Sequence, residues 1–290
     1  MPIFAHRSPE KAYPVVLLTR FALRPDSELR IFPKATQSEL WKRETWLESR
    51  LVALQRYTIP SLDAQTDANY LWFVGLDEQV PKVFVHKLGK ALGRRAEIIT
   101  VPATSTFNSM VTAELHRFAG PSITARLDSD DAVNRHFVST LRLRCGNDQE
   151  VYNFPHGFGF FEEEGVVVRK WIRSNPFLSR LAEPSGHILT LGLHSAVGLN
   201  YRITEIPTVA PMYLKVYTND MTSNFPQNGW ATWGFPKRPL ARHFGVTITD
   251  RAFARLHTRL RFSTSYIGRK SGSAVPIVKK IWMLLRRRNK

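Results

Sequence analysis

Residues 122–131 read Ser-Ile-Thr-Ala-Arg-Leu-Asp-Ser-Asp-Asp, a strand-like run, SITARL, that stops at three carboxylates within four positions. The segments before it repeat one pattern. PVVLLT (14–19) follows a proline and reads as a buried strand of the parallel-sheet kind, and YLWFVGL (70–76) and AEIITV (96–101) read likewise. Helical spacing separates them. Thr36-Gln37-Ser38-Glu39 has capping-box spacing, and Leu40, Leu47, Leu51 and Leu54 then predict a helix to about Tyr57 that breaks near Pro60. Further helices are expected from about Val80 to Leu92 and over 105–119. Because parallel neighbours need helical crossovers, this alternation through residue 145 predicts an α/β fold, a mostly parallel sheet with helices on both faces. From 149 onward VYNF, FGFF and VVVRKW are short strands parted by Gly157 and the turn Glu162-Glu163-Glu164-Gly165, so a mixed or antiparallel half follows.

The chain has 290 residues, enough for two domains or one large α/β domain. Its 43% hydrophobic and 22% charged residues exclude general disorder and fibrous repeats. With one cysteine, Cys145, it can form no internal disulfide and no thiolate-rich zinc site. A cytoplasmic location is the expectation, since no apolar run of spanning length occurs and the start, MPIFAHRSPEKAYP, lacks the features of a secretion signal. Charge is distributed unevenly. The net charge is +17, but residues 251–290 hold 12 basic residues and no acid, which leaves +5 on the first 250. An ordinary domain with a cationic extension is the reading, divided at the Gly/Ser-bearing IGRKSGSA (267–274) into a domain over 1–266 and an extension over 267–290.

Three adjacent carboxylates repel one another unless a cation compensates them. At the C-terminal end of a parallel strand they lie where α/β sheets bind ligands. Hard oxygen donors of this kind suit Mg²⁺ or Mn²⁺, which completes its shell with phosphate oxygens and water, so the chemistry points to a nucleotide diphosphate. The competing reading makes Ser129, Asp130 or Asp131 the N-cap of a helix beginning near Ala132, but a cap accounts for one of them only.

ITARLDSDDAVNRHFVSTLR, together with YTIPSLDAQTDANYLWFVGLDE upstream and PMYLKVYTNDMTSN (211–224) downstream, resembles the rhamnosyltransferase family of bacterial GT-A-type glycosyltransferases. The resemblance extends over most of residues 14–225. It implies a GT-A-like, Rossmann-like fold with a nucleotide-binding half at about 14–145 and an acceptor-side half at about 146–266. It further implies transfer of a deoxyhexose, rhamnose, from a donor such as dTDP-rhamnose to a glycan or lipid-linked acceptor. The family's metal-binding DxD maps onto Asp128 and Asp130, with Asp131 beside them and Arg126 and Ser129 in the same donor-binding element. Asp130 and Asp131 are assigned to the metal, and Asp128 to the ribose or to the metal through water. In the family a histidine often stands where this chain has Thr218. Thr19 and Arg20, ending the first strand, stand where such folds meet the base or ribose, and Asp77 ends the second strand in the same way.

An inverting transfer needs a carboxylate to deprotonate the acceptor hydroxyl. Asp220 is the first candidate because it lies in the downstream family-like segment; Glu205 and Glu183 are the alternatives. His194, in the apolar LGLHSAVGL, is either a buried hydrogen-bonded histidine or an acceptor-side contact. Trp230, Trp233 and Phe235 either stack on sugar or bury a loop.

After Pro276, residues Ile277, Val278, Ile281, Leu284 and Leu285 define one helical face, with Lys279, Lys280, Arg286, Arg287 and Lys290 largely on the other. Such a helix suits an anionic membrane surface, at about 1 kcal/mol per basic residue, and Trp282 suits the interface. A nucleic-acid-binding protein using this basic tail is the alternative class, although no nucleic-acid-binding signature is present and no nucleic-acid partner is expected, and a non-catalytic glycosyltransferase-like domain is a further one. Removing residues 273–290 is expected to leave a folded, nucleotide-binding protein that no longer sediments with anionic vesicles. Unfolding of the truncated protein would assign the helix to the core instead.

Overall fold

A computed structural model describes residues 13–24, 39–146, 150–162, 165–218, 230–231 and 237–248. Asp220, Trp233, Phe235, the capping residues 36–38 and the extension 267–290 lie outside the described residues. In chain order, β1 (Val15–Ala22), α1 (Glu44–Ala53), α2 (Ile59–Asp63), β2 (Leu71–Asp77), α3 (Lys82–Leu92), β3 (Glu97–Val101), α4 (Phe107–Leu115) and β4 (Ser122–Arg126) form the expected alternation. They are followed by β5 (Ala132–Val133), α5 (Phe137–Arg144), β6 (Val151–Asn153), β7 (His156–Phe161), β8 (Val166–Trp171), β9 (Ser179–Ala182), α6 (His194–Asn200), β10 (Ile203–Glu205), β11 (Tyr213–Tyr217), β12 (Trp230–Ala231) and α7 (Lys237–Phe244).

Two sheets result. The larger has the order β10-β6-β9-β4-β1-β2-β3, in which β1 to β4 are mutually parallel and β9 runs antiparallel between β4 and β6. β1 lies inside this sheet with both faces covered, which is why VVLLTRFA is nearly continuously apolar. Its alternation sorts the helices. Val15 and Leu17 pack with Leu47 and Leu51 of α1, Phe84 and Leu88 of α3, and Phe137 and Leu141 of α5. Val16 and Leu18 pack on the opposite face with Phe107, Val111 and Leu115 of α4 and with the turns at 188–191. The smaller sheet, β12-β8-β7-β11-β5, buries Phe158, Phe160, Leu214 and Val216 against Tyr57 and against Leu240 and Phe244 of α7. Among the described residues no helix is long and apolar enough to cross a membrane.

Two expectations are corrected. The first helix does not break at Pro60, because a π turn over Leu54–Thr58 precedes the proline, with the Ile59 N–H donating to the Leu54 carbonyl. A proline clashes with the carbonyl four residues back, and the wider turn relieves that clash, so the helix continues to Asp63. No helix begins at Ala132. Ala132 and Val133 instead pair antiparallel with Leu214 and Tyr213, which carries the chain from the end of β4 into the second sheet, and the helix starts at Phe137.

Gly157 of β7 faces the ring of Tyr213, which is stacked on Phe177 at 4.9 Å. A Cβ at residue 157 would lie 2.3 Å from the Tyr213 Cζ. Both rings are buried and cannot move aside cheaply, so Gly157→Ala should destabilise the protein by about 1–3 kcal/mol. Urea unfolding should show a lower midpoint at unchanged slope; a wild-type midpoint would show that the rings yield.

Candidate active site

β4 pairs with β1 through Arg126, and the Leu127 N–H still donates to the Leu18 carbonyl at 3.0 Å. The chain then turns, with the Asp131 N–H donating to the Asp128 carbonyl at 3.2 Å. This turn brings ligand oxygens of Asp128, Asp130 and Asp131 within 4.8 Å of one another. The Thr58 hydroxyl, at the end of the π turn, donates to the Asp131 carbonyl at 2.8 Å and fixes the turn from the α1–α2 side.

The triplet is held by cations from two other elements. Lys215 of β11 places Nζ 2.9 Å from Asp131 Oδ2 and 3.3 Å from Asp128 Oδ2. Arg50 of α1 donates to Asp130 Oδ2 at 2.7 Å while its guanidinium lies over the Trp46 ring. Asp131 Oδ1 accepts the Val216 N–H at 2.9 Å. Both oxygens of Asp131 therefore act as acceptors, which is the pattern of an ionised carboxylate.

Burial pushes the Asp131 pKa up, with Lys215 opposing and the neighbouring Asp130 and Asp128 adding to the rise. Burial pulls Lys215 down, but Asp131, Asp128 and Asp130 outweigh it and hold the ammonium charged. For Asp128, burial raises the pKa, but Lys215, Arg50 and His194 outweigh it and leave the carboxyl below its ordinary value. The Asp128 side chain is 44% exposed, and that of Asp131 is wholly buried, so ligands meet the cluster at Asp128.

The triplet fits a divalent ion by donor type and convergence, since hard carboxylate oxygens from adjacent residues suit Mg²⁺ or Mn²⁺. Ser129 Oγ, between two of the carboxylates in sequence, is buried without a hydrogen-bond partner among the described residues. A buried hydroxyl left unpaired beside an acidic turn is a group that a bound ligand or an ordered water would satisfy.

The other anticipated residues are placed as follows. The Arg126 guanidinium donates to the carbonyls of Ile188, at 2.8 Å, and Gly192, and burial, with Arg20 adding, pulls its pKa down to about 10. His194 opens α6, and its pKa falls to about 4, mainly by burial, with Arg126 and Lys215 lowering it and Asp128 opposing. Asp128, Arg126 and His194 are thus close enough to shift one another's titration, with His194 held neutral near pH 7. Arg20 approaches the Asn108 amide oxygen at 3.5 Å.

The remaining candidates have partners of their own or stand elsewhere on the sheet. The Thr19 side chain is wholly buried, and its hydroxyl accepts the Trp72 indole N–H at 2.8 Å. Asp77 is buried in a two-pronged pair with Arg24 at 2.5 and 2.9 Å and accepts the Gln79 N–H, the turn-closing role. Glu205 is on β10, three strands from β4, roughly 14 Å across the sheet at ~4.8 Å per strand, and meets Arg173 at 3.5 Å. Glu183 is exposed, preceding the turn at 184–186. Sequence reasoning missed Lys215, Arg50 and Thr58. The available signal was Lys215 itself, a lone charge inside the apolar MYLKVY strand.

In an α/β fold, carboxylates converging after a parallel strand stand at the sheet edge where such folds bind ligands. The sequence matches the family described as "Putative rhamnosyl transferase" over residues 14–170, more than half of the chain, and the chain belongs to that family. It is a glycosyltransferase. The match includes the acidic triplet and ends before β11, so Lys215 lies beyond it. Among solved structures the chain is similar to S. aureus TarS 1-349 in complex with UDP-GlcNAc, at 10% identity, covering 87% of this chain and 79% of that one, with a TM-score of 0.37. It is also similar to a nucleotidyl transferase from Methanothermobacter, at 12% identity, covering 68% of this chain and 88% of that one, with a TM-score of 0.33. No curated protein matched the sequence.

His187, in the turns under Arg126, is fully buried, with Nε2 3.2 Å from the Asn108 carbonyl. Burial pulls its pKa down to about 4, and Arg20, Arg126 and Arg180 lower it further against the Asn108 hydrogen bond. In the unfolded chain the ring titrates near 6.5 and takes up its proton first, so this residue's contribution is complete above that pH and is lost as pH falls toward about 4. The loss is about 2 kcal/mol by about pH 5, from a ceiling of about 3. His187→Gln should flatten this part of the dependence, as urea unfolding at about pH 7.5 and about pH 5 would show; equal losses in both proteins would mean that the ring is protonated in the fold.

Proposed function

We propose that the protein transfers a deoxyhexose, rhamnose, from a nucleotide diphosphate donor such as dTDP-rhamnose to a glycan or lipid-linked acceptor, with inversion. The observation that carries this reading is the convergence of Asp128, Asp130 and Asp131 within 4.8 Å at the end of β4, in a chain of the rhamnosyl transferase family. Breaking the glycosidic bond builds negative charge on the diphosphate. A divalent ion, Mg²⁺ or Mn²⁺, bound by Asp130 and Asp131 supplies Lewis-acid stabilisation of that charge.

The chain's own residues do the rest. Asp128, at the exposed side of the cluster, accepts hydrogen bonds from the donor's ribose, and Arg126 and Arg20 add positive charge beside it. His194 stays neutral at physiological pH, because its pKa is pulled down to about 4, and so offers a hydrogen bond to the acceptor rather than a charge. Asp220, which follows β11 by three residues, is the proposed base for the acceptor hydroxyl. The cationic residues 267–290 bring the enzyme to an anionic membrane surface, where lipid-linked acceptors are presented.

The test assays dTDP-rhamnose with a lipid-linked acceptor and determines the product anomer. Asp130→Asn should remove the metal-dependent part of nucleotide diphosphate binding in calorimetry, and unchanged metal-dependent affinity would reject the ligand assignment. Asp220→Asn should lower turnover by about 10² to 10⁴ with donor binding preserved. Near-normal turnover would move the base elsewhere, a retained anomer would refute inversion, and a protein that binds donor but never transfers it would be non-catalytic.

A further inference from the structure

The charge count of the cluster points beyond the metal assignment. Three carboxylates make ion pairs with two cations, Lys215 and Arg50, so within this ion-paired set one formal negative charge remains. Lys215 cannot turn elsewhere easily. Leu214 and Val216 on either side are buried in the core of the second sheet, so strand alternation directs residue 215 toward the triplet. Its side chain is only 16% exposed, and its ammonium spans the two carboxylates that flank the turn, a place that divalent-ion chemistry also requires.

A divalent ion added to this set, with Lys215 still charged, produces a net positive cluster in a poorly hydrated place. Uncompensated charge in such a place is costly. A diphosphate, carrying two negative charges in a nucleotide sugar, restores the original balance.

We propose that Lys215 is a tethered cation that holds the carboxylate triplet when no divalent ion is present and couples entry of the ion to entry of the donor's diphosphate. The inference rests on the assignment of the triplet to a divalent ion. Lys215 is thus a positioning residue: it suppresses binding of the ion alone, and its ammonium takes the diphosphate as counter-charge once the ion shares the carboxylates. By linkage, the ion and the nucleotide must raise each other's affinity by the same factor.

The test measures Mn²⁺ binding to the full chain by calorimetry, with the ion alone and in the presence of dTDP, UDP or GDP. In the wild type, Mn²⁺ alone should bind at least tenfold more weakly than Mn²⁺ with the preferred nucleotide. Lys215→Met should bind Mn²⁺ alone at least tenfold more tightly than the wild type, and the gain on adding nucleotide should shrink. Lys215→Gln, which keeps a hydrogen-bond donor for Asp131, should do the same and serves if the methionine variant does not fold. Lys215→Arg should retain the coupling. If the wild type binds Mn²⁺ equally with and without nucleotide, or if the neutral variants bind it no more tightly, the role of Lys215 is refuted while the metal assignment stands. If no form binds Mn²⁺ under any condition, the metal assignment itself fails and the proposal falls with it.

Discussion

The Asp131 carboxylate joins parts of the chain that are far apart in sequence. One oxygen takes the Lys215 ammonium at 2.9 Å and the other the Val216 backbone N–H at 2.9 Å, so a single side chain at the end of β4 is tied to β11 in the second sheet. Its own carbonyl takes the Thr58 hydroxyl. Once Asp131 is placed, the turn from Asp128 is closed, β5 enters the second sheet, and the exposed carboxylate of Asp128 is presented at the edge of the first. Removing either partner of a buried pair leaves an uncompensated charge, typically at a cost of about 3–5 kcal/mol.

The arrangement explains why the first helix keeps its course through Pro60. A helix broken there would withdraw Thr58 and Ser61, whose hydroxyls meet the Asp131 carbonyl and the Val133 N–H at 2.8 and 3.3 Å. The π turn keeps these groups on the face toward the acidic turn while accommodating the proline. Its position beside the site agrees with the tendency of such turns to accompany function. Arg50, one turn earlier on α1, reaches Asp130 from the same side.

Electrostatics grade the site from inside to outside. The wholly buried Asp131 and the nearly buried Asp130 are each matched by a cation, whereas the part-exposed Asp128 shares Lys215 and faces Arg126 and the neutral His194. A ligand approaching from solvent therefore meets the part-exposed carboxylate of Asp128 first, while Asp130 and Asp131 lie deeper in their ion pairs. Family membership assigns glycosyl transfer to this scaffold.

The sequence by itself determined the parallel half of the fold. Apolar runs such as PVVLLT and YLWFVGL could be satisfied only inside a sheet covered on both faces, and helices had to connect them. It also determined the acidic triplet and its place at a strand end, because three carboxylates in four residues are a local feature. The tertiary structure decided the rest. Lys215 and Arg50 lie 84 and 80 residues from their carboxylate partners, and no local periodicity reports which strand or helix will pack across the turn. Thr19 and Asp77 show the converse: the sequence places both at strand ends, but β1 runs on to Ala22, and Trp72 and Arg24 are the partners the fold brings to them. Position along a strand is a local property legible in one dimension; whether a polar side chain is free for a ligand depends on which distant partner its burial demands.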